Sequence, residues 1–195
     1  TYLAKSLEKL FRTKLREFYC RWPPRKSLFA PHFHSGKGSS LMAITESYAI
    51  LMDLPIVFTD QGLRRKVWAI HEDRKLPTRF GVLPRHADGN QIKWFEFPGC
   101  YIYHVINAWE EGDNVVLFCC KMIENGLDMP VKYGPYAPMV NVLALRAVVT
   151  KWTMNMRTGA TKEEQIDDTI SEFPVVNLEF SGKKSRYSYH GAIPN

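Results

Sequence analysis

Cys100-Tyr-Ile-Tyr-His-Val-Ile-Asn-Ala-Trp-Glu-Glu111, followed a few residues later by Val115-Val-Leu-Phe-Cys-Cys-Lys-Met122, decides the fold class. Both runs are rich in β-branched and aromatic residues, the side chains that suit a pleated, half-buried surface. They predict strands over 101–108 and 115–122. Working outward, similar runs predict strands over 48–54, 66–70, 79–83, 92–97, 143–156, 173–178 and 186–190. Asp88-Gly89-Asn90 and Thr158-Gly159 supply turn chemistry between neighbouring strands. Strand starts recur every 10 to 15 residues or so, the spacing of a sandwich, barrel or propeller. No alternating helices are present to build a parallel α/β sheet. Residues 125–142 carry Gly126, Pro130, Gly134, Pro135 and Pro138 and read as a long loop over one face.

The first 41 residues follow a different pattern. Leu3, Leu7, Leu10, Phe11, Leu15 and Phe18 recur at spacings of three and four, which predicts an amphipathic helix. Trp22-Pro23-Pro24 ends it, because proline has no backbone donor and restricts its predecessor. A Gly/Ser stretch, 35–40, then reads as a linker. Nine basic residues against two acidic ones give this arm a charge of 9 − 2 = +7. The whole chain is +6, so the remainder is 6 − 7 = −1. Such a helix can pack on the body as an ordinary surface helix, be sequence added by a faulty splice prediction, or lie on a membrane surface as a peripheral contact. One basic helix is no nucleic-acid footprint, and no nucleic acid partner is expected.

Composition narrows the function classes. Apolar residues make up 45% of the 195, enough for a real core. No apolar stretch approaches the roughly 20 residues that span a bilayer. Cys20, Cys100, Cys119 and Cys120 lack zinc-finger or redox-motif spacing, and adjacent Cys119 and Cys120 fall in an apolar run as small hydrophobes. Free thiols of that kind suit a reducing compartment. Gly-x-Ser-x-Gly, phosphate-loop, dinucleotide and His-Glu-x-x-His patterns are all absent.

His104 is the residue of interest, because an imidazole among apolar neighbours is costly unless both ring nitrogens are satisfied. Two ordinary hydrogen bonds would do this in a core histidine. Metal ligation by one nitrogen and a hydrogen bond from the other would do it equally. Glu172, before Phe173-Pro174, is a candidate to hold the ring; its alternative is a strand-end charge facing water. Glu110 and Glu111 also lie near, with a solvated turn as their simpler reading. His32 and His34 have chelating spacing but no companions. His71 and His86 read as exposed, and His190 ends the last strand with no visible partner.

Six blocks taken together go further. Ala43-Ile-Thr-Glu-Ser-Tyr-Ala-Ile-Leu-Met-Asp-Leu-Pro55, Arg79-Phe-Gly-Val-Leu-Pro-Arg85 and Lys93-Trp-Phe-Glu-Phe-Pro98 come first. Tyr103-His-Val-Ile-Asn-Ala-Trp-Glu-Glu111, Glu172-Phe-Pro-Val-Val-Asn177 and Gly182-Lys-Lys-Ser-Arg-Tyr-Ser-Tyr189 follow. In this order and spacing they resemble the plant carotenoid cleavage dioxygenases, most closely the type that cleaves 9,10 and 9′,10′ bonds. The resemblance covers 42–195; 1–41 lie outside it.

That resemblance implies a seven-bladed β-propeller, of which a mainly β stretch this long supplies two to three blades, preceded here by the basic N-terminal helix. It implies an iron(II) held by four histidines, with three glutamates supporting them, and oxidative cleavage by dioxygen of a conjugated double bond in a carotenoid or apocarotenoid. His104 matches the third iron-binding histidine, and Glu172 matches a supporting glutamate. No catalytic side chain beyond the metal site and no further cofactor is implied. Where the family carries His-Asp before the Met42 block, this chain has Ser39-Ser40-Leu41, so Ser40 stands at the second iron histidine. The first iron histidine is expected upstream of this chain and the fourth downstream. An alternative is therefore a catalytically inactive, truncated remnant that cannot retain iron. The family occurs in plastids and in the cytosol; the plastid is the expected compartment.

Overall fold

Alternating apolar and polar positions become strands wherever one face can be buried, and here they do so almost without helical interruption. The computed structural model describes residues 42–58, 70–124 and 146–193. Its strands are β1 (Met42–Ile44), β2 (Tyr48–Asp53), β3 (Ile56–Phe58), β4 (Ile70–Glu72), β5 (Thr78–Pro84) and β6 (Lys93–Phe97). They continue as β7 (Ile102–Glu111), β8 (Asn114–Met122), β9 (Ala147–Asn155), β10 (Thr161–Gln165), β11 (Ser171–Val175) and β12 (Tyr189–Ala192). The mainly β reading holds. The expected N-terminal helix, Ser40, His32, His34 and the long loop of 125–142 lie outside the described residues.

Two four-stranded antiparallel sheets carry the fold. One has the order β1-β2-β5-β6, the other β10-β9-β8-β7, and two-stranded pairs β3-β4 and β11-β12 accompany them. The described residues do not close a ring of blades. Ile50, Met52, Phe80 and Phe95 of the first sheet share one core with Leu117, Cys119 and Trp152 of the second. Phe80 meets Trp152 edge-on at 5.5 Å, a favoured aromatic geometry.

β8 explains why the deciding sequence run is so apolar. Val115, Leu117 and Cys119 point into that first core. Cys120 and Met122 point the other way, into a second core with Ile106, Val148, Ile170 and Ile193. A strand covered on both faces reads as a continuous apolar run rather than an alternating one. Cys100, Cys119 and Cys120 are buried free thiols, as expected of small hydrophobes.

The expected turns join antiparallel neighbours: a 3-10 turn, Gly89–Gln91, links β5 to β6, and Gly159, at φ +81°, links β9 to β10. Strands β1, β3, β4 and β10 were not anticipated, or only at one residue. β10 reads Thr-Lys-Glu-Glu-Gln and has no apolar signal to announce it. It is held by its ladder to β9 and by the Lys121–Glu163 ion pair reaching across that strand.

Candidate metal centre at His104

The pairing of β7 with β8 is interrupted twice beside His104. Asn107 pairs with Phe118 and Val105 with Cys119, so β7 advances two residues while β8 advances one. Ile102 then pairs with Lys121, a further three residues against two. Each step is a β-bulge carrying one extra residue on β7. Bulges break the period-two alternation and re-aim side chains. Here they free His104 from the simple inward or outward choice, and its ring reaches β11.

Glu172 receives it. His104 Nδ1–H donates to Glu172 Oε2 at 2.8 Å, and the same oxygen accepts the backbone N–H of Phe173 at 2.8 Å. Glu172 is 0% exposed, which overturns the reading of a strand-end charge facing water. Its pairing position opposite Gly191 of β12 and a break in register before Val175 turn it inward. Phe173 sits at φ +56°, a left-handed backbone rare outside glycine, and its ring lies 5.6 Å from the imidazole. Tyr101 and Tyr103 meet edge-on at 4.6 Å beside it. Burial, then Tyr103, Glu72 and Glu172, push the Tyr101 phenol up to about 12, so it keeps its proton and remains a donor.

A proton fixed on Nδ1 leaves Nε2 as the nitrogen with an available lone pair. It makes no hydrogen bond among the described residues, and the side chain is 44% exposed. A neutral imidazole held through its other nitrogen by a carboxylate is a donor suited to iron(II). The described residues supply one such donor: no group of three or more His, Cys, Asp or Glu gathers among them.

Nearby candidates do other work. Glu110 accepts from Thr45 Oγ1 at 2.6 Å and from Ser47 N–H at 2.7 Å, tying β7 to the β1–β2 turn. These bonds hold its carboxyl below the usual range, against the opposing effect of burial. Glu111 accepts from Lys184 and from Trp109 Nε1, and neither glutamate bonds His104. His86 is exposed in a turn, as expected, while the His71 side chain lies outside the described residues. His190 has the partners its sequence concealed: Nε2 lies 2.8 Å from Ser188 Oγ and Nδ1 lies 4.0 Å from Cys120 Sγ.

Asn107 has a role that its place in the motif does not announce. Its side-chain amide donates to Phe180 O and Lys183 O, both at 2.9 Å, and its oxygen accepts Gly182 N–H at 3.0 Å. The buried asparagine thus pins the connection between β11 and β12 to β7, three residues from His104. Gly182 is buried at φ +78°, where a side chain would be strained. A polar residue inside an apolar strand was the available signal for Asn107.

Comparison with known proteins adds four findings. The model of the family described as retinal pigment epithelial membrane protein matches residues 41–195. The carotenoid 9,10(9′,10′)-cleavage dioxygenase of Crocus sativus is 39% identical over 155 residues, 78% of this chain and 28% of the relative. The chloroplastic 9-cis-epoxycarotenoid dioxygenase of Oryza sativa is 33% identical over 184 residues, 89% of this chain and 27% of the relative. Among solved structures, cobalt-substituted ACO of Synechocystis superposes with a TM-score of 0.64 at 20% identity, covering 81% of this chain and 34% of that one. The chain therefore spans little more than a quarter of the length of these curated relatives.

Proposed function

Because this chain belongs to the retinal pigment epithelial membrane protein family, the carotenoid oxygenases, we propose that the whole protein cleaves a conjugated double bond of a carotenoid or apocarotenoid with dioxygen at an iron(II) centre. His104 supplies one of the iron's imidazole ligands through Nε2, and Glu172 holds that imidazole in place. The observation that carries this reading is the 2.8 Å bond from His104 Nδ1 to a carboxylate with no solvent exposure. A buried carboxylate is expensive unless it serves charged or strongly donating neighbours, and orienting a metal-binding imidazole is such a service. Residues 42–195 are two to three blades of the family propeller. The two four-stranded antiparallel sheets support this, and the family match over 41–195 coincides with it. The 9,10 and 9′,10′ bonds are the favoured cleavage positions, on the strength of the Crocus relative's name. The rice relative's name favours the plastid.

When bound, iron(II) supplies the redox chemistry by which dioxygen reacts. The chain's own residues do the positioning. Glu172 accepts the Nδ1 proton, so in the neutral imidazole the lone pair lies on Nε2. Phe173 and Tyr103, with ring centroids 5.6 and 6.4 Å from the imidazole, give it aromatic neighbours that suit a hydrocarbon polyene.

Iron analysis of the purified protein tests this. The expected result is bound iron(II) that is lost on His104→Ala, with Glu172→Gln weakening affinity about 10- to 100-fold. Equal iron in the His104→Ala protein would sink the assignment. A second reading is favoured by the single donor found among the described residues and by Ser40: a remnant that retains no iron. A protein free of iron after reconstitution would establish that alternative.

A further inference from the structure

The pair β11-β12 that carries Glu172 is only two strands wide, too few to hold a fixed place unaided. Its position is set by what it rests on. At its base, Ile193 N–H donates to Ile170 O at 2.9 Å, and both side chains sink into the second core with Ile106 and Val148. Apolar packing is non-directional, so it holds the base without fixing how the pair tilts. At the far end, the connection forms a 3-10 turn, Leu178–Phe180, and Gly182 then lies against β1. A Cβ on Gly182 would stand 3.4 Å from Ile44 O. Asn107 holds this end, and every hydrogen-bonding position of its buried amide is used. Nδ2 donates to Phe180 O and Lys183 O at 2.9 Å each, with Ser185 Oγ a longer third acceptor at 3.4 Å. Oδ1 accepts the N–H of Gly182 at 3.0 Å and of Ala108 at 2.9 Å. A second tie, Lys184 to Glu111 at 2.8 Å, lies at the surface, where an ion pair contributes little.

We propose that Asn107 is a positioning residue for the candidate metal centre: it clamps the far end of β11-β12 onto β7, which sets the tilt of that pair and so the reach of Glu172 to His104. The register break between Val105 and Asn107 lies between the two β7 residues. One bulge therefore aims both side chains, His104 at Glu172 and Asn107 at the turn of 180–183. The contacts form a closed circuit. It runs from His104 to Glu172, along β11 and the turn to Gly182, and back to β7 through Asn107. A fully satisfied buried amide is rigid, so the circuit holds one geometry. Releasing Asn107 frees the pair to swing on its Ile170–Ile193 base, and Glu172 moves with it. The link from Asn107 to a metal rests on the iron reading above; its effect on the His104–Glu172 bond does not.

Two measurements on the full chain test this. Without metal, NMR of the imidazoles is expected to show a far-downfield His104 Nδ1–H signal, the mark of a histidine held by a carboxylate, identified by its loss in His104→Ala. Asn107→Ser is neutral and too short to reach the turn. It is expected to lose that signal to exchange with water, while the β8 amides keep their protection against hydrogen exchange. The β8 amides separate the loosening of one contact from loss of the fold. Gly182→Ala strains the same turn from its own side, at φ +78° with Ile44 O close by, and is read in the same way should Asn107→Ser not fold. An unchanged His104 signal in the folded variant overturns the proposal. So does its absence from wild type, or a greater loss in Lys184→Ala than in Asn107→Ser. Cobalt(II) titration then reads the centre, with affinity expected to be about 10-fold lower in Asn107→Ser than in wild type. Equal affinities overturn the positioning role. A wild type that binds no cobalt overturns the iron reading instead, and the His104 signal still decides whether Asn107 places Glu172.

Discussion

At the scale of single residues, strain and burial meet around one carboxylate. Phe173 holds a left-handed backbone at φ +56°, which costs a side-chain-bearing residue about 1–2 kcal/mol. The conformation is retained because it delivers the Phe173 N–H to Glu172 and the ring to His104. Phe173→Gly and Phe173→Ala both remove the ring, but only glycine relieves the backbone. Urea unfolding should therefore find the glycine variant more stable than the alanine variant by about 1 kcal/mol. Cys100 makes a different prediction. Burial raises its thiol from 9.0 to about 11, outweighing the hydrogen bond from Thr78 that lowers it. The folded chain therefore holds this proton more tightly than the unfolded chain does. Its contribution to stability is complete below pH 9 and is lost as pH rises through about 11. Tyr101, raised from 10.0 to about 12, acts in the same direction. Unfolding midpoints should fall across this alkaline range and fall less in a Cys100→Ala protein.

At the scale of elements, the bulges of β7 decide where His104 points. Deleting Ile106, the extra residue opposite the Phe118–Cys119 step, removes one bulge and shifts everything before it by one position. Because strand side chains alternate, His104 should then face away from β11. Circular dichroism should report unchanged strand content while metal affinity and the His104–Glu172 bond vanish. A variant that binds metal normally would mean that the bulge does not aim the ring. This is also where legibility in the sequence ends. β2, β5, β7 and β8 were readable because each carries a long apolar or aromatic run with a turn beside it. β1 and β3 are three residues each, too short for a period to appear, and β10 is polar throughout. His104 stands out by its chemistry and Glu172 by its place before Phe173-Pro174, and the family resemblance strengthens both. A bulge has no residue signature of its own, so the route by which the two meet was hidden. Asn107, Phe173 and the Cys120–His190 contact were hidden for the same reason: their roles depend on which faces the folded strands present.

For the molecule as a whole, the edge of the second sheet is marked by charge. β10 is an outer strand of its sheet and carries Lys162, Glu163 and Glu164 in succession. Charges on an outer strand discourage pairing with another chain. Lys162→Val combined with Glu164→Val should leave the core intact and raise self-association, read as increased light scattering at matched concentration. The His104–Glu172 contact joins positions 68 residues apart, a separation that also measures time. A ribosome adding about 5–20 residues per second needs roughly 3–14 s to travel from one to the other. Throughout that interval the nascent chain carries an imidazole whose two nitrogens are equivalent in their freedom, able to hold a proton on either. The His104–Glu172 contact is thus a late product of synthesis, completed several seconds after the histidine itself has been made.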